Sequence, residues 1–187
     1  MQTLRRTLIA LPLLLAALGA HAAAAVGQIA PDFTLQSTEG KPVRLSELRG
    51  KYVVLEWTNP GCPFVRKHYD SGNMPATQKA AREQGLAWLS VNSTAKASGD
   101  YLEPARLAAW LAERKAQPTA ILMDEEGTVG HAYGARTTPH MYVIDPRGTL
   151  VYAGGIDSIP SARVADIERA TNYVKAALAD IAAQRPI

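Results

Sequence analysis

The sequence predicts an α/β domain built on a mixed β-sheet with helices on both faces. Two observations predict it. Short runs of β-branched and aromatic residues alternate with longer stretches whose apolar residues recur at helical spacing. Hairpin-type turns also stand at both ends of that series, so some strands must pair antiparallel. Composition fits a folded chain of one domain: 187 residues, 47% hydrophobic and 20% charged. One cysteine excludes an intramolecular disulfide and any multi-cysteine zinc or iron–sulfur site in a single chain. A net charge of +3 gives no basic surface of the kind that binds nucleic acid.

The chain opens with Arg5 and Arg6, an eleven-residue apolar run from Leu8 to Leu18, and Ala20-His21-Ala22. This is the three-part pattern of a secretory signal peptide over residues 1–22. The run is shorter than the roughly 20 residues of a bilayer span, so no stable membrane anchor is expected after its removal. The mature protein is then periplasmic or secreted, an oxidising space in which a lone thiol has no internal partner.

From residue 26 to 185 a single domain is expected. Phe33-Thr34-Leu35 and Val43-Arg44-Leu45 flank Glu39-Gly40-Lys41-Pro42 as an N-terminal hairpin. Ser46 to Gly50 reads as a helical turn closed by glycine. Tyr52 to Trp57 is a buried strand, and Pro63 stands where a first helical residue is tolerated. Ser71-Gly72-Asn73 interrupts that helix; Pro75 restarts it toward Gln84, and Gly85 ends it. Leu86 to Val91 is the next strand. Pro104 to Ala116 is a helix with Leu107, Trp110 and Leu111 at core spacing. Thr119 to Met123 and Met141 to Ile144 are strands, and Asp145-Pro146-Arg147-Gly148 turns the second into Leu150 to Ala153. A last helix is expected from about Ala162 to Ala183, with Val164, Ile167, Val174, Leu178 and Ile181 in one stripe.

The chemistry concentrates at Cys62. It precedes Pro63 and therefore sits at a helix N-terminus, where partial positive charge and free N–H groups favour thiolate. Arg66 and Lys67, one turn on, add positive charge. A thiolate is both a better nucleophile and a better oxidation target. A buried structural cysteine is the alternative; the Gly and Pro on either side of Cys62 argue against it.

Three segments carry a family resemblance. Val26-Gly27-Gln28-Ile29-Ala30-Pro31-Asp32-Phe33-Thr34-Leu35 resembles the opening of the redoxins, the alkyl hydroperoxide reductase/thiol-specific antioxidant family. Leu45 to Leu55 continues the match, and Thr137 to Asp145 resembles the cis-proline segment of thioredoxin folds. The resemblance implies a thioredoxin-like fold with Cys62 beside Pro139. In the family the cis-proline helps to hold an extended substrate near the sulfur; Asn59, Thr138, Pro139 and His140 are accordingly expected to border the substrate, while Pro63 and Arg66, from their place at the helix start, are expected to stabilise the thiolate. The departures are specific. Val65 stands where a thioredoxin has its second cysteine, so a dithiol cycle within one chain is impossible. Asn59 and Leu55 stand where a peroxiredoxin has the Thr and Pro that flank its peroxidatic cysteine. The chain is most similar to a single-cysteine, peroxiredoxin-like branch.

Glu56 lies in the strand leading to Cys62, on the face opposite Leu55 and Trp57. Thioredoxins carry a buried acid in that strand, which makes Glu56 a candidate proton shuttle for the cysteine. The simpler expectation is an acid at the solvent-exposed end of the strand. His68 or His140 paired with Cys62 would tune the thiol or contribute to a copper site. Copper proteins of this fold use two cysteines and a histidine, so the set is incomplete, and neither metal nor other cofactor is expected. The function expected first is an exported monothiol oxidoreductase, resolved by an external thiol or a thiol–disulfide partner protein. A one-cysteine peroxidase acting on a hydroperoxide is the second reading. A non-enzymatic binding module for a protein or a metal is the third.

Overall fold

The computed structural model describes residues 23–187, and the expected signal peptide lies outside the described residues. Seven strands form one mixed sheet: β1 (Thr34–Ser37), β2 (Pro42–Arg44), β3 (Val53–Trp57), β4 (Ala87–Asn92), β5 (Ala120–Met123), β6 (His140–Ile144) and β7 (Leu150–Gly154). Their order is β2-β1-β5-β4-β3-β6-β7. The central β5-β4-β3 strands are parallel, while β1 and β6 join them antiparallel and bring in their hairpin partners β2 and β7. Every residue of β3 and β4 is buried. That is why both read as continuous rather than alternating apolar runs.

The helices are α1 (Pro63–Asp70), α2 (Asn73–Glu83), α3 (Pro104–Glu113), α4 (Thr128–Tyr133) and α5 (Tyr173–Ala182). The path β3 to β4 to β5 steps across the sheet in one direction. Right-handed crossovers therefore place α1, α2 and α3 on the same face, where α5 joins them. Val65, Tyr69, Met74, Leu107, Leu111, Val174 and Leu178 pack there on Val54, Trp88 and Met141. The chain then runs back from β5 to β6 through α4 on the other face. There Val129 and Tyr133, with Phe33 of the N-terminal segment, cover Leu55, Trp57, Leu89 and Tyr142. Gly72, at φ 74°, supplies the left-handed break between α1 and α2 that Ser71-Gly72-Asn73 announces.

Three expectations are corrected. The last helix is two pieces, a 3₁₀ segment over Val164–Arg169 and α5. A bridge between Asp157 and Asn172 holds the chain extended between them, and the Asn172 side chain accepts the Lys175 N–H to start α5 afresh. Val164 is consequently exposed rather than part of a core stripe. The helix from Pro104 ends at Glu113, with Lys115 at φ 57° closing it three residues early. Glu56, expected at an exposed strand end, is completely buried.

Candidate active site

Cys62 is placed by the turn that links β3 to α1. The Asn59 Oδ1 accepts the Gly61 N–H at 2.7 Å, and the Asn59 carbonyl accepts the Cys62 N–H at 2.9 Å. Cys62 itself is extended (φ −77°, ψ 124°) and is the N-cap of α1, with Pro63 at the first helical position. Its carbonyl accepts the Arg66 N–H at 3.0 Å. No acceptor among the described residues meets the N–H of Phe64 or Val65, so these two donors remain open in the first turn. The thiol is partly exposed. Its S–H donates to the Thr138 carbonyl at 3.1 Å, and the Thr138–Pro139 peptide is cis. The sequence segment that resembles a cis-proline loop thus lies against the sulfur. Val65, in the second-cysteine position, points into the core and is fully buried.

The four charged or titratable neighbours have different fates. Arg66 is exposed and donates from Nε to the Pro60 carbonyl at 2.7 Å, which ties the helix to the turn. Lys67 is buried; its ammonium pairs with Asp157 at 2.7 Å and donates to the Ile159 carbonyl at 3.3 Å. Its charge is therefore matched on the far side of α1. His68 is also buried, with Nδ1 2.8 Å from the Asn73 amide and Nε2 3.6 Å from Asp157. Burial pulls its pKa down to about 4, against the opposing pull of Asp157. His140 follows Pro139, but its ring stacks on Tyr142 on the α4 face, whereas Cys62 packs against the core of the α1 face. Burial lowers the His140 pKa as well. No group of three or more His, Cys, Asp or Glu among the described residues is arranged to hold a metal.

Glu56 sits beneath α1 and α2 in a complete ring of donors. Oε1 accepts from the Tyr69 hydroxyl at 2.7 Å; Oε2 accepts from Trp88 Nε1 at 2.8 Å, Ser90 Oγ at 3.0 Å and Gln78 Nε2 at 3.1 Å. Burial raises the carboxyl pKa, and the four donors oppose it. No hydrogen bond among the described residues joins Glu56 to Cys62.

Beside the sulfur lies an open groove of about 400 Å³. Asn59 and Thr138, the two residues that position Cys62, are on its wall, and so are Ser93, Thr94 and Arg136. Trp57 forms part of the wall and donates from Nε1 to Ser93 Oγ at 3.0 Å, which donates in turn to Asp124 at 2.6 Å. The Asp100 carboxylate packs against Gly61: a Cβ there would come within 2.8–3.0 Å of it. Nothing in the sequence singles out Arg136 or Asp100. Neither carries a local signal, because each comes from a loop that the fold brings to the Cys62 turn from elsewhere. Asn92-Ser93-Thr94 does carry one, as a polar cluster at a strand end.

Comparison with known proteins agrees with this geometry. The AhpC/TSA family profile matches residues 26–153. The thiol-disulfide oxidoreductase ResA of Geobacillus thermodenitrificans is 35% identical over 161 residues, covering 78% of this chain and 82% of that protein. A conserved protein from Geobacillus kaustophilus superposes with a TM-score of 0.70 at 25% identity, over 87% of this chain and 85% of that one. A thiol:disulfide interchange protein DsbE from Chlorobium tepidum shares the fold with a TM-score of 0.61 at 24% identity, over 83% and 99% of the two chains. With its thioredoxin-like sheet and helices, and its match to the family over most of its length, the chain belongs to the AhpC/TSA family.

Proposed function

We propose that the chain is a thiol–disulfide oxidoreductase working through one sulfur, Cys62, outside the cytoplasm. The observation that carries this is the setting of Cys62. It is partly exposed at the N-cap of α1, held to the Thr138 carbonyl at 3.1 Å, with buried Val65 in place of a second cysteine. The Cys62 thiolate attacks one sulfur of a disulfide, a new S–S bond forms, and the other sulfur leaves as thiolate. With no second cysteine in the chain, an external thiol must attack the partner's sulfur to restore Cys62. The open N–H groups of Phe64 and Val65, preceded by Pro63, give the first turn of α1 partial positive charge next to the sulfur, and Arg66 secures that turn. Asn59, Thr138 and Pro139 frame the approach of the partner, while the His140 ring rests on Tyr142 on the other face of the sheet. Glu56 holds or releases a proton beneath the site. The disulfide chemistry named for ResA and DsbE supports the reading, and the apolar run after Arg5 and Arg6 supports export.

The test is trapping. Purified protein is offered a model disulfide and, separately, a hydroperoxide, and the products are read by mass spectrometry. A mixed disulfide on Cys62, absent in Cys62→Ser, is the expected result. Consumption of hydroperoxide far faster than by free cysteine would instead favour the one-cysteine peroxidase. A thiol inert to both would leave the binding module.

A further inference from the structure

We infer that the groove beside Cys62 binds a low-molecular-weight thiol carrying a carboxylate, and that this molecule is the external thiol of the cycle. The inference rests on the monothiol reading above and names its second substrate. Three observations carry it. The groove and the sulfur share Asn59 and Thr138, whose carbonyls accept the Cys62 N–H and S–H, so an occupant of the groove lies against the two residues that hold the reacting sulfur. At about 400 Å³ it suits a small peptide-sized thiol rather than a protein surface. Its lining is polar, rich in Ser and Thr, and holds one charged residue, Arg136, which is exposed and forms no ion pair among the described residues. A guanidinium with no partner next to hydroxyl groups recognises a carboxylate. Thr58 also lines the groove; it is 1% exposed, and its buried hydroxyl has no hydrogen-bond partner among the described residues.

The step balances as follows. The Cys62 thiolate attacks the disulfide R–S–S–R′, in which R–S is the carboxylate-bearing half. The Cys62–S–S–R bond forms and R′–S⁻ leaves. A second R–S⁻ attacks the R sulfur of that mixed disulfide, which releases R–S–S–R and returns the Cys62 thiolate. Over the cycle one R–S⁻ is consumed and one R′–S⁻ is released, so R–S–S–R′ and R–S⁻ become R–S–S–R and R′–S⁻ with the number of disulfides unchanged. Arg136 makes no bond to sulfur; it sets the orientation of R and is a specificity residue.

Second-order rates of mixed-disulfide formation on Cys62 test this, with oxidised glutathione, uncharged hydroxyethyl disulfide and cationic cystamine as probes. Wild type is expected to prefer oxidised glutathione to hydroxyethyl disulfide by about tenfold or more, from one oriented ion pair. Cystamine should be no better than hydroxyethyl disulfide. Arg136→Ala should abolish the preference, read as the ratio of the oxidised glutathione rate to the hydroxyethyl disulfide rate within the variant, with its fold checked by far-UV circular dichroism; Arg136→Lys should keep part of the preference. Equal rates for all three probes in wild type would overturn the inference while the monothiol reading stands. Reaction with none of them would overturn the monothiol reading itself. A preference unchanged in Arg136→Ala would remove Arg136 from the groove's chemistry and overturn the assignment.

Discussion

At the scale of single residues, the buried Glu56 is the most constrained group in the molecule. Four donors from two helices and a neighbouring strand converge on one carboxylate, so any replacement leaves donors without acceptors. Glu56→Gln puts an NH₂ among those donors. It is expected to cost about 1–3 kcal/mol of stability, read by urea denaturation. If Glu56 also holds a proton for the thiol, the same variant shifts the pH profile of Cys62 alkylation, a readout that a purely structural role does not move. The sequence showed that an acid stood in an apolar strand but could not show its depth. Burial was decided by Tyr69, Gln78, Trp88 and Ser90, which lie 13 to 34 residues away. Cys62 was legible because its signals are local: a strand end, a turn, and a proline at a helix start.

Among elements, α1 is the one that positions the sulfur, and it is clamped from behind. The buried Lys67–Asp157 pair ties it to the segment after β7, and the Asn172 amide reaches the α2 side chain of Thr77 at 3.1 Å. Removing one partner of a buried pair leaves the other charge unmatched in a dry setting. Asp157→Ala should therefore cost about 3–5 kcal/mol. A double replacement of Lys67 and Asp157 by apolar residues of similar volume should recover most of it. Chemical denaturation of the single and double variants measures both. The sequence placed the start of α1, the glycine break after it and the strands around it. It missed the break between the 3₁₀ segment and α5, because the apolar residues from Val164 to Ile181 keep helical spacing across it. The Asp157–Asn172 bridge, a contact between distant residues, overrides that periodicity.

For the whole molecule, stability should depend on pH through His68. Its folded pKa is about 4, below the 6.5 of the free side chain, so the unfolded chain binds more protons across that interval. Stability therefore falls as pH drops from about 6.5 to about 4, by at most about 3 kcal/mol, and then levels for this group. Glu56 acts in the opposite sense, because burial raises its pKa and the folded state binds the extra proton. The quantity to measure is thus the difference in pH slope between wild type and His68→Asn. An equal slope in both would exclude His68 as the source. The sequence by itself determined the α/β alternation, the turns, the helix that begins after Cys62, and the lack of a second thiol. Each of these follows from residues within a few positions of one another. Only the tertiary structure decided that Glu56 is buried, that Lys67 is paired with Asp157 and that the His140 ring packs on Tyr142. It alone brought the Arg136–Thr138 loop together with Asn59 and Ser93 around one groove. Those outcomes depend on which distant surfaces the sheet order brings together, and strand order is set by packing over the whole chain rather than by any local pattern.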